Sequence, residues 1–428
     1  MSKYVFLLVS IFLANIISAQ KTEIIYLTQE QAEALFLKQN LQLLAEKMNI
    51  DAADAAIVQA KLWENPTFSI GEVNLWSTHT QREQGQIPAL FGNFAKNTEF
   101  TIELTQLVQT ARKRGKLINR EKISKEIAIQ EFEETLRGLK LEVRKSLQEL
   151  IYLQSYQHIL NRQHEALQKL IIAYKNQVAQ GNIAKKELIR LQSSQLEMNG
   201  EIYEVKSNYN EQQKILKSLL HIPPGSIIEI KETTEKIKNP DDILLSNILE
   251  QVQNNRPDLQ RANLQIKYFD KNLKYEKAQK VPDLTFALNY DRISGPWKDF
   301  IGLGISFDLP FFNRNQGNIK IAQINKEQSQ YWATQQLNLA QQEITEAYNN
   351  YHMTYFLFKE MQDENISEDL DYMLDAYMRN LMNRNITMLE FIDFMEAYKN
   401  NKQTLLLTRR NLFTQFEELQ YTVGKEIK

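Results

Sequence analysis

The chain has 428 residues, with 51 basic and 53 acidic side chains for a formal charge of −2, and no cysteine. Near-neutrality argues against a nucleic-acid partner held by phosphate neutralisation, and the missing cysteine excludes disulfides, thiolate metal sites and cysteine nucleophiles. Glycine and proline are few, while Gln, Asn, Lys, Glu, Leu and Ile are abundant, a balance that favours long helices.

Residues 1–19 read as a secretory signal. Lys3 gives the charged start, Val5 to Ile17 an apolar run, and Ser18-Ala19 a small-residue cleavage site before Gln20. The run is short for a bilayer span, so removal is expected. With no cysteine at Gln20, lipoprotein attachment is not expected. No later stretch is apolar for the roughly 18 residues that a membrane helix needs, a hydropathy that an outer-membrane barrel shares.

Thr28-Gln29-Glu30-Gln31 is a capping-box pattern that predicts a helix running through the alanine-rich 51–60 to near Trp63, before Pro66. Residues 67–77 form a first strand whose apolar positions change parity between Ile70 and Val73, as a bulge near Gly71 would cause. A loop over 78–96 follows. Phe100, Ile102 and Leu104 then alternate with Thr101, Glu103 and Thr105, the period of a strand with one apolar face. From about 110 to 175 proline is absent, and Phe132, Leu136, Leu139, Val143, Leu147 and Leu150 recur at spacings of three and four, a coiled-coil seam. The helix ends at Gln180-Gly181-Asn182, and a return helix is expected over 185–220.

After a segment from His221 to Asn239, Asn239-Pro240-Asp241-Asp242 opens further helix, with proline and acids suited to a helix start. It breaks at Arg256-Pro257 and resumes to about Lys280. Two more alternating segments follow, Leu284 to Asp291 and Ile301 to Leu309. A second seam (Ile344, Tyr348, Tyr351, Tyr355, Phe358) leads to Asn383-Arg384-Asn385 and a return helix over 388–423. At about 1.5 Å per residue each long helix spans roughly 95–100 Å, and each shorter one about half that. Two short helices laid end to end therefore match one long helix.

The chain also repeats itself. Asn65-Pro66 recurs as Val281-Pro282, and Gly181-Asn182-Ile183 recurs as Arg384-Asn385-Ile386. The first repeat is longer between Pro66 and Gly115 than its counterpart between Pro282 and Gly317, and the difference falls in the strand hairpin, where a loop absorbs length change. The expected organisation is residues 20–237 (helix, β-hairpin 67–107, helical hairpin 110–220 with its tip near 181) and residues 238–428 (helices 240–280, β-hairpin 284–309, helical hairpin 315–424 with its tip near 384). Four strands can cap a soluble helical bundle with their apolar face inward, or face lipid. In lipid, open edges are not tolerated, so the second reading requires several chains to pool strands.

At these motifs the chain resembles the TolC-like outer-membrane efflux proteins, and more closely their heavy-metal branch. The matching residues are Asn254-Asn255-Arg256-Pro257-Asp258-Leu259, Pro282-Asp283-Leu284, Leu309 through Asn318, Asn65-Pro66, and Gln106 through Gly115. The resemblance implies a mostly α chain with a membrane β-barrel part. Three copies would give a twelve-stranded barrel and a periplasmic helical tunnel. It also implies a homotrimer in outer-membrane lipid that works with a periplasmic adaptor (membrane fusion) protein and an inner-membrane RND-type pump. The function implied is a passive exit duct, with metal cations as cargo. A multidrug or type I secretion conduit, and an exported coiled-coil structural or adhesive protein, stay open beside it.

Gln180, Gly181, Asn182, Asn383, Arg384 and Asn385 would be the adaptor-facing tips. Asp371, Asp375 and Asp393 would make the tunnel entrance acidic, or are merely solvated. Arg112, Lys113 and Arg114 would anchor the barrel rim, or form a solvated face. Gly302 and Gly304 fall on the polar strand face, and Trp76, Trp297 and Phe300 near the hairpin ends. The five histidines, His79, His158, His164, His221 and His352, lack the spacing of helical zinc ligands, and no catalytic constellation is present. No cofactor, metal site or enzymatic activity is expected.

Overall fold

The computed structural model describes residues 23–87, 98–231, 238–294, 297–363 and 366–427. The expected signal segment, and residues 88–97 of the first hairpin loop, lie outside them. The chain divides into two units. The first comprises residues 1–46, 132–257 and 338–428, and the second residues 47–131 and 258–337.

In the first unit, strand β1 (Ile24–Leu27) precedes helix α1 (Gln29–Gln39). Thr28 caps α1 through the expected box: its Oγ accepts from Gln31 N, and the Gln31 side chain accepts from Thr28 N. The single helix expected as far as Trp63 is divided at Asn40, and α2 (Leu41–Lys61) begins there. Asn40 is buried; its Oδ1 accepts from Leu43 N (2.8 Å) and its Nδ2 donates to Leu219 O (2.9 Å). One asparagine thus caps a new helix and holds it to the distant end of another, which no local pattern discloses.

Helix α4 (Lys113–Ala179) follows the second unit's α3 (His79–Glu83), and α5 (Lys185–Leu220) returns from its tip. The predicted seam is the core: Val143, Leu147 and Leu150 are fully buried with Phe36, Leu216 and Ile228, and Phe132 and Leu136 pack at its margin. Strand β4 (Ile227–Ile230) lies parallel to β1, pairing Ile24 with Ile227 and Leu27 with Ile230. A 3-10 turn at Pro240–Asp242 introduces α6 (Leu245–Asn255), and α7 (Pro257–Gln279) starts at the predicted Arg256-Pro257 break. Arg256 is buried, and its Nη1 bonds Glu343 Oε2 (2.8 Å) and Thr422 O (3.2 Å), so this motif arginine is a packing element.

Helices α8 (Gln316–Asp363) and α9 (Ile366–Met382) flank residues 364–365 and lead to α10 (Met388–Val423). Near the tips, Leu167, Leu170, Tyr174 and Leu191 of the first hairpin bury with Leu374, Leu381, Phe391 and Tyr398 of the second. Farther back Tyr152, Tyr156, Leu160 and Val205 form another cluster.

The second unit contains the strands β2 (Thr67–Gly71), β3 (Thr101–Val108), β5 (Leu284–Ser294) and β6 (Trp297–Ser306), antiparallel in the order β2-β3-β5-β6. Its helical segments are tied by Lys326 and Lys274 to Asp270 (2.7 and 2.6 Å) and by Lys125 to Asp54 (2.7 Å). The two lysine bonds hold the Asp270 carboxyl down at about 2, below its ordinary range.

Candidate functional site: an open sheet and two helical tips

Register decides what each face of the sheet carries. Phe68 pairs with Leu104, Leu104 with Leu288, and Leu288 with Leu303; Ile70, Ile102, Tyr290 and Ile301 form the neighbouring row. Gln106, Phe286 and Ile305 form a third, with Gln106 its one polar member. Every member of these rows points to one side, because side chains alternate along a strand. This apolar side is uncovered: Phe68 is 62% exposed, Ile301 71% and Leu303 77%. A soluble sheet would bury this face against its own core, and this one does not. The other side is polar. There Ser69, Glu103, Asn289 and Gly302 form one row, and Thr67, Thr105, Ala287 and Gly304 the next.

The parity change in the first strand has a concrete cause. Gly71 faces Thr101, so regular pairing would bring Val73 opposite Glu99. Instead Asn74 N–H donates to Glu99 O (3.1 Å), one residue farther along, and Glu72 between them adopts φ 51°. One extra residue is accommodated there, a bulge.

A Cβ on Gly302 would lie 2.4 Å from Asn289 Oδ1 and 2.9 Å from Phe300 Cε1, so this glycine permits close side-chain approach; Gly304 has ordinary room. Phe300 pairs with Asp291 and so shares the polar side with Gly302, whereas Trp297 pairs with Ser294 on the apolar side. Trp76 is largely exposed beyond the first strand.

The basic cluster divides into three fates. Lys113 is buried, and its Nζ binds Asp283 Oδ1 at 2.8 Å, joining the start of α4 to the start of β5. Asp283 also accepts from Thr110 N (2.8 Å), while Thr110 Oγ1 donates to Pro282 O (2.6 Å). The guanidinium of Arg114 lies 3.7 Å over the Trp63 ring. Arg112 is exposed and, with Ala111, takes a left-handed backbone (φ 54° and 52°) that reverses the chain from strand to helix. Lys113 is therefore neither a free rim anchor nor a solvated charge. It is a buried clamp between the two halves of the sequence.

The two tips are the same turn built twice. Gln180, Gly181 and Asn182 N–H donate to the carbonyls of Asn176, Val178 and Gln177. Asn383, Arg384 and Asn385 N–H donate to those of Arg379, Leu381 and Asn380, each donor and acceptor 203 positions beyond its match in the first tip. Gly181 (φ 77°) and Arg384 (φ 62°) occupy the same left-handed position, so the second tip makes its turn without a glycine. All six tip residues are exposed, and Arg384 Nη2 donates to Asn182 O (3.2 Å), tying one tip to the other.

The three acids do not share one environment. Asp371 takes Tyr398 Oη (2.7 Å), Lys402 Nζ (2.8 Å) and Arg162 Nη1 (3.2 Å), and Asp375 lies 3.7 Å from Arg162 Nη2. Burial pushes the Asp371 carboxyl up, but the Lys402 and Tyr398 hydrogen bonds outweigh it, and the net shift is downward. Asp393 is exposed. Arg162, Tyr398 and Lys402 carry no sequence signal of this role, because each lies 27 or more residues from Asp371 along the chain. Among the described residues no cluster of His, Asp and Glu could hold a metal ion, and no helix is long and apolar enough to cross a membrane.

Comparison with known proteins agrees with this geometry. The model of the family described as "Outer membrane efflux protein" matches residues 34–220 and 248–424. The cobalt-zinc-cadmium resistance protein CzcC of Cupriavidus metallidurans is 24% identical over 315 residues, 72% of this chain and 69% of that protein. Among solved structures, the outer membrane channel CmeC of Campylobacter jejuni has a TM-score of 0.74 at 13% identity, covering 92% of this chain and 85% of that one. CusC, whose structures concern transmembrane channel formation, has a TM-score of 0.71 at 16% identity, covering 95% and 94%. The two matched stretches take in both helical hairpins and the whole four-stranded sheet, and the chain belongs to the outer membrane efflux protein family.

Proposed function

We propose that three copies of this chain pool their strands into one twelve-stranded outer-membrane barrel, which passes metal cations outward from a periplasmic tunnel. The observation that carries this reading is the uncovered apolar face on a four-stranded sheet whose outer strands, β2 and β6, have no further partner among the described residues. Lipid accounts for the face, and neighbouring copies account for the edges, since unpaired backbone groups in hydrocarbon cost several kcal/mol each, about 2–7 by transfer measurements. Three sets of four strands make an even, closable number. Residues 1–19 are removed on export, and residues 20–237 and 238–428 act as the two halves of each copy.

The exposed tips at Gln180 to Asn182 and Asn383 to Asn385 meet a periplasmic adaptor, which couples the duct to an inner-membrane pump. At rest the Arg162–Asp371–Lys402 group and the Arg384–Asn182 bond hold the two hairpins together, and adaptor contact offsets them. Among the described residues, Asp393 is the exposed acid of the three without an ion pair, and Arg112 the exposed cation of the rim cluster. The chain transports and does not catalyse.

The cargo is inferred from likeness to CzcC, a protein of cobalt, zinc and cadmium resistance. Deleting the chain should lower tolerance to these three metals and leave drug tolerance unchanged. The opposite pattern would favour a multidrug or type I secretion conduit. Conductance in planar bilayers tests the duct itself: cross-linking cysteines introduced at Asn182 and Arg384 should abolish it, and unchanged conductance would refute the gate.

A further inference from the structure

We infer that Glu103 sets the charge selectivity of the duct at barrel level, making the pore favour cations over anions. The inference rests on the proposed barrel, and deepens it by naming a residue for its cargo preference. It starts from one cross-strand row. Ser69 faces Glu103, Glu103 faces Asn289, and Asn289 faces Gly302, so the row crosses all four strands on the polar side. Glu103 is its single ionisable side chain.

The row's other members leave that carboxylate unscreened. Gly302 has no side chain, and Asn289 fills the space beside it, with Oδ1 2.4 Å from where a Cβ would stand. No ion pair to Glu103 is present among the described residues. The row on one side (Thr67, Thr105, Ala287, Gly304) carries no charge, and the row on the other (Gly71, Thr101, Asp291, Phe300) adds a second acid. Asp291 is partly engaged, since its Oδ1 accepts from Ile293 N (3.0 Å). Lys298 is the one cation these register pairs place on this side, opposite Ile293 near the hairpin end.

The apolar rows must face lipid, so the polar rows face the lumen, and closure by three copies repeats Glu103 three times at one level. Rings of acidic side chains are how cation pores are made selective. A ring of carboxylates acts through space on passing ions, so salt must weaken its effect: the screening length is about 10 Å at 0.1 M and about 3 Å at 1 M.

The test is ion selectivity in planar bilayers, in a potassium chloride gradient, with purified protein whose tips are released by Arg162→Ala and Arg384→Ala and which otherwise is wild type or carries Glu103→Gln or Glu103→Lys. Glu103→Gln keeps the side-chain shape, and heat-modifiable mobility on gels confirms that each variant has formed its barrel. The expected result is a potassium-to-chloride permeability ratio that falls at least about twofold in Glu103→Gln and further in Glu103→Lys, with the differences shrinking at 1 M salt. Ratios equal to wild type in both variants, with conductance intact, would overturn the inference and leave the duct standing. Absence of conductance even in the tip-released parent would overturn the duct, and this inference with it.

Discussion

Gly424 shows how much one backbone position can decide. It ends α10 with φ 90°, its N–H bonding the Gln420 and Tyr421 carbonyls, and an added Cβ would lie 2.6 Å from Asn255 O. Neither strain nor contact can be relieved by a rotamer, because the neighbour is backbone. Gly424→Ala should lose at least about 1–2 kcal/mol from the left-handed conformation alone, seen as a lower midpoint in thermal unfolding. Asp270 makes a pH prediction. Its carboxyl is held at about 2 by Lys274 and Lys326, against an ordinary value of 3.8. A depressed acid contributes stability that is present above its unfolded value and lost as pH falls through the folded one. Asp270→Asn should therefore lower the unfolding midpoint at neutral pH, and the gap to wild type should close between about pH 4 and pH 2. A gap that persists unchanged at pH 2 would show that the ion pairs are not its origin.

At the scale of elements, the duplicated turns offer an internal control. The return helix α10 starts with a full capping box, Thr387 accepting from Glu390 N and Glu390 accepting from Thr387 N. The return helix α5 has Ala184 at the same place and no side-chain cap, although Glu187 already stands at the third position. Ala184→Thr should complete the box and stabilise by about 0.5–1 kcal/mol, and Thr387→Ala should cost a similar amount; chemical denaturation measures both. The sheet gives a sharper contrast. Leu303→Lys places a charge on the uncovered apolar side, where lysine near a bilayer midplane costs about 2–4 kcal/mol, while Thr105→Lys places it on the polar side. The first should reduce heat-modifiable barrel in the outer-membrane fraction and the second should not. Equal yields would mean that the apolar side does not meet lipid.

For the whole molecule the question is what completes four strands. Because the chain contains no cysteine, introduced cysteines give a clean background for cross-linking. Ile70→Cys on β2 combined with Ile301→Cys on β6 should yield, with a short bifunctional reagent in membranes, a ladder that stops at three chains. Monomer alone would contradict strand pooling, and a ladder beyond three would contradict closure.

Much of this was readable along the chain. The capping box at Thr28, the Arg256-Pro257 break, both return helices and the seam from Phe132 to Leu150 follow from local hydrogen bonding and from periodicity, which neighbouring residues carry. The one-sided strands and the two matching tips were readable for the same reason. Tertiary structure alone decided the break at Asn40, whose amide answers Leu219, and the burial of Lys113, whose partner Asp283 is 170 positions on. It also decided that Phe300 joins the polar side, that Asp371 is bound to Arg162 and Lys402, and that Ala111 and Arg112 turn left-handed without glycine. Each of these depends on which distant group arrives beside the residue. Local pattern fixes where the backbone can satisfy itself, and only the assembled fold fixes which charges and carbonyls meet.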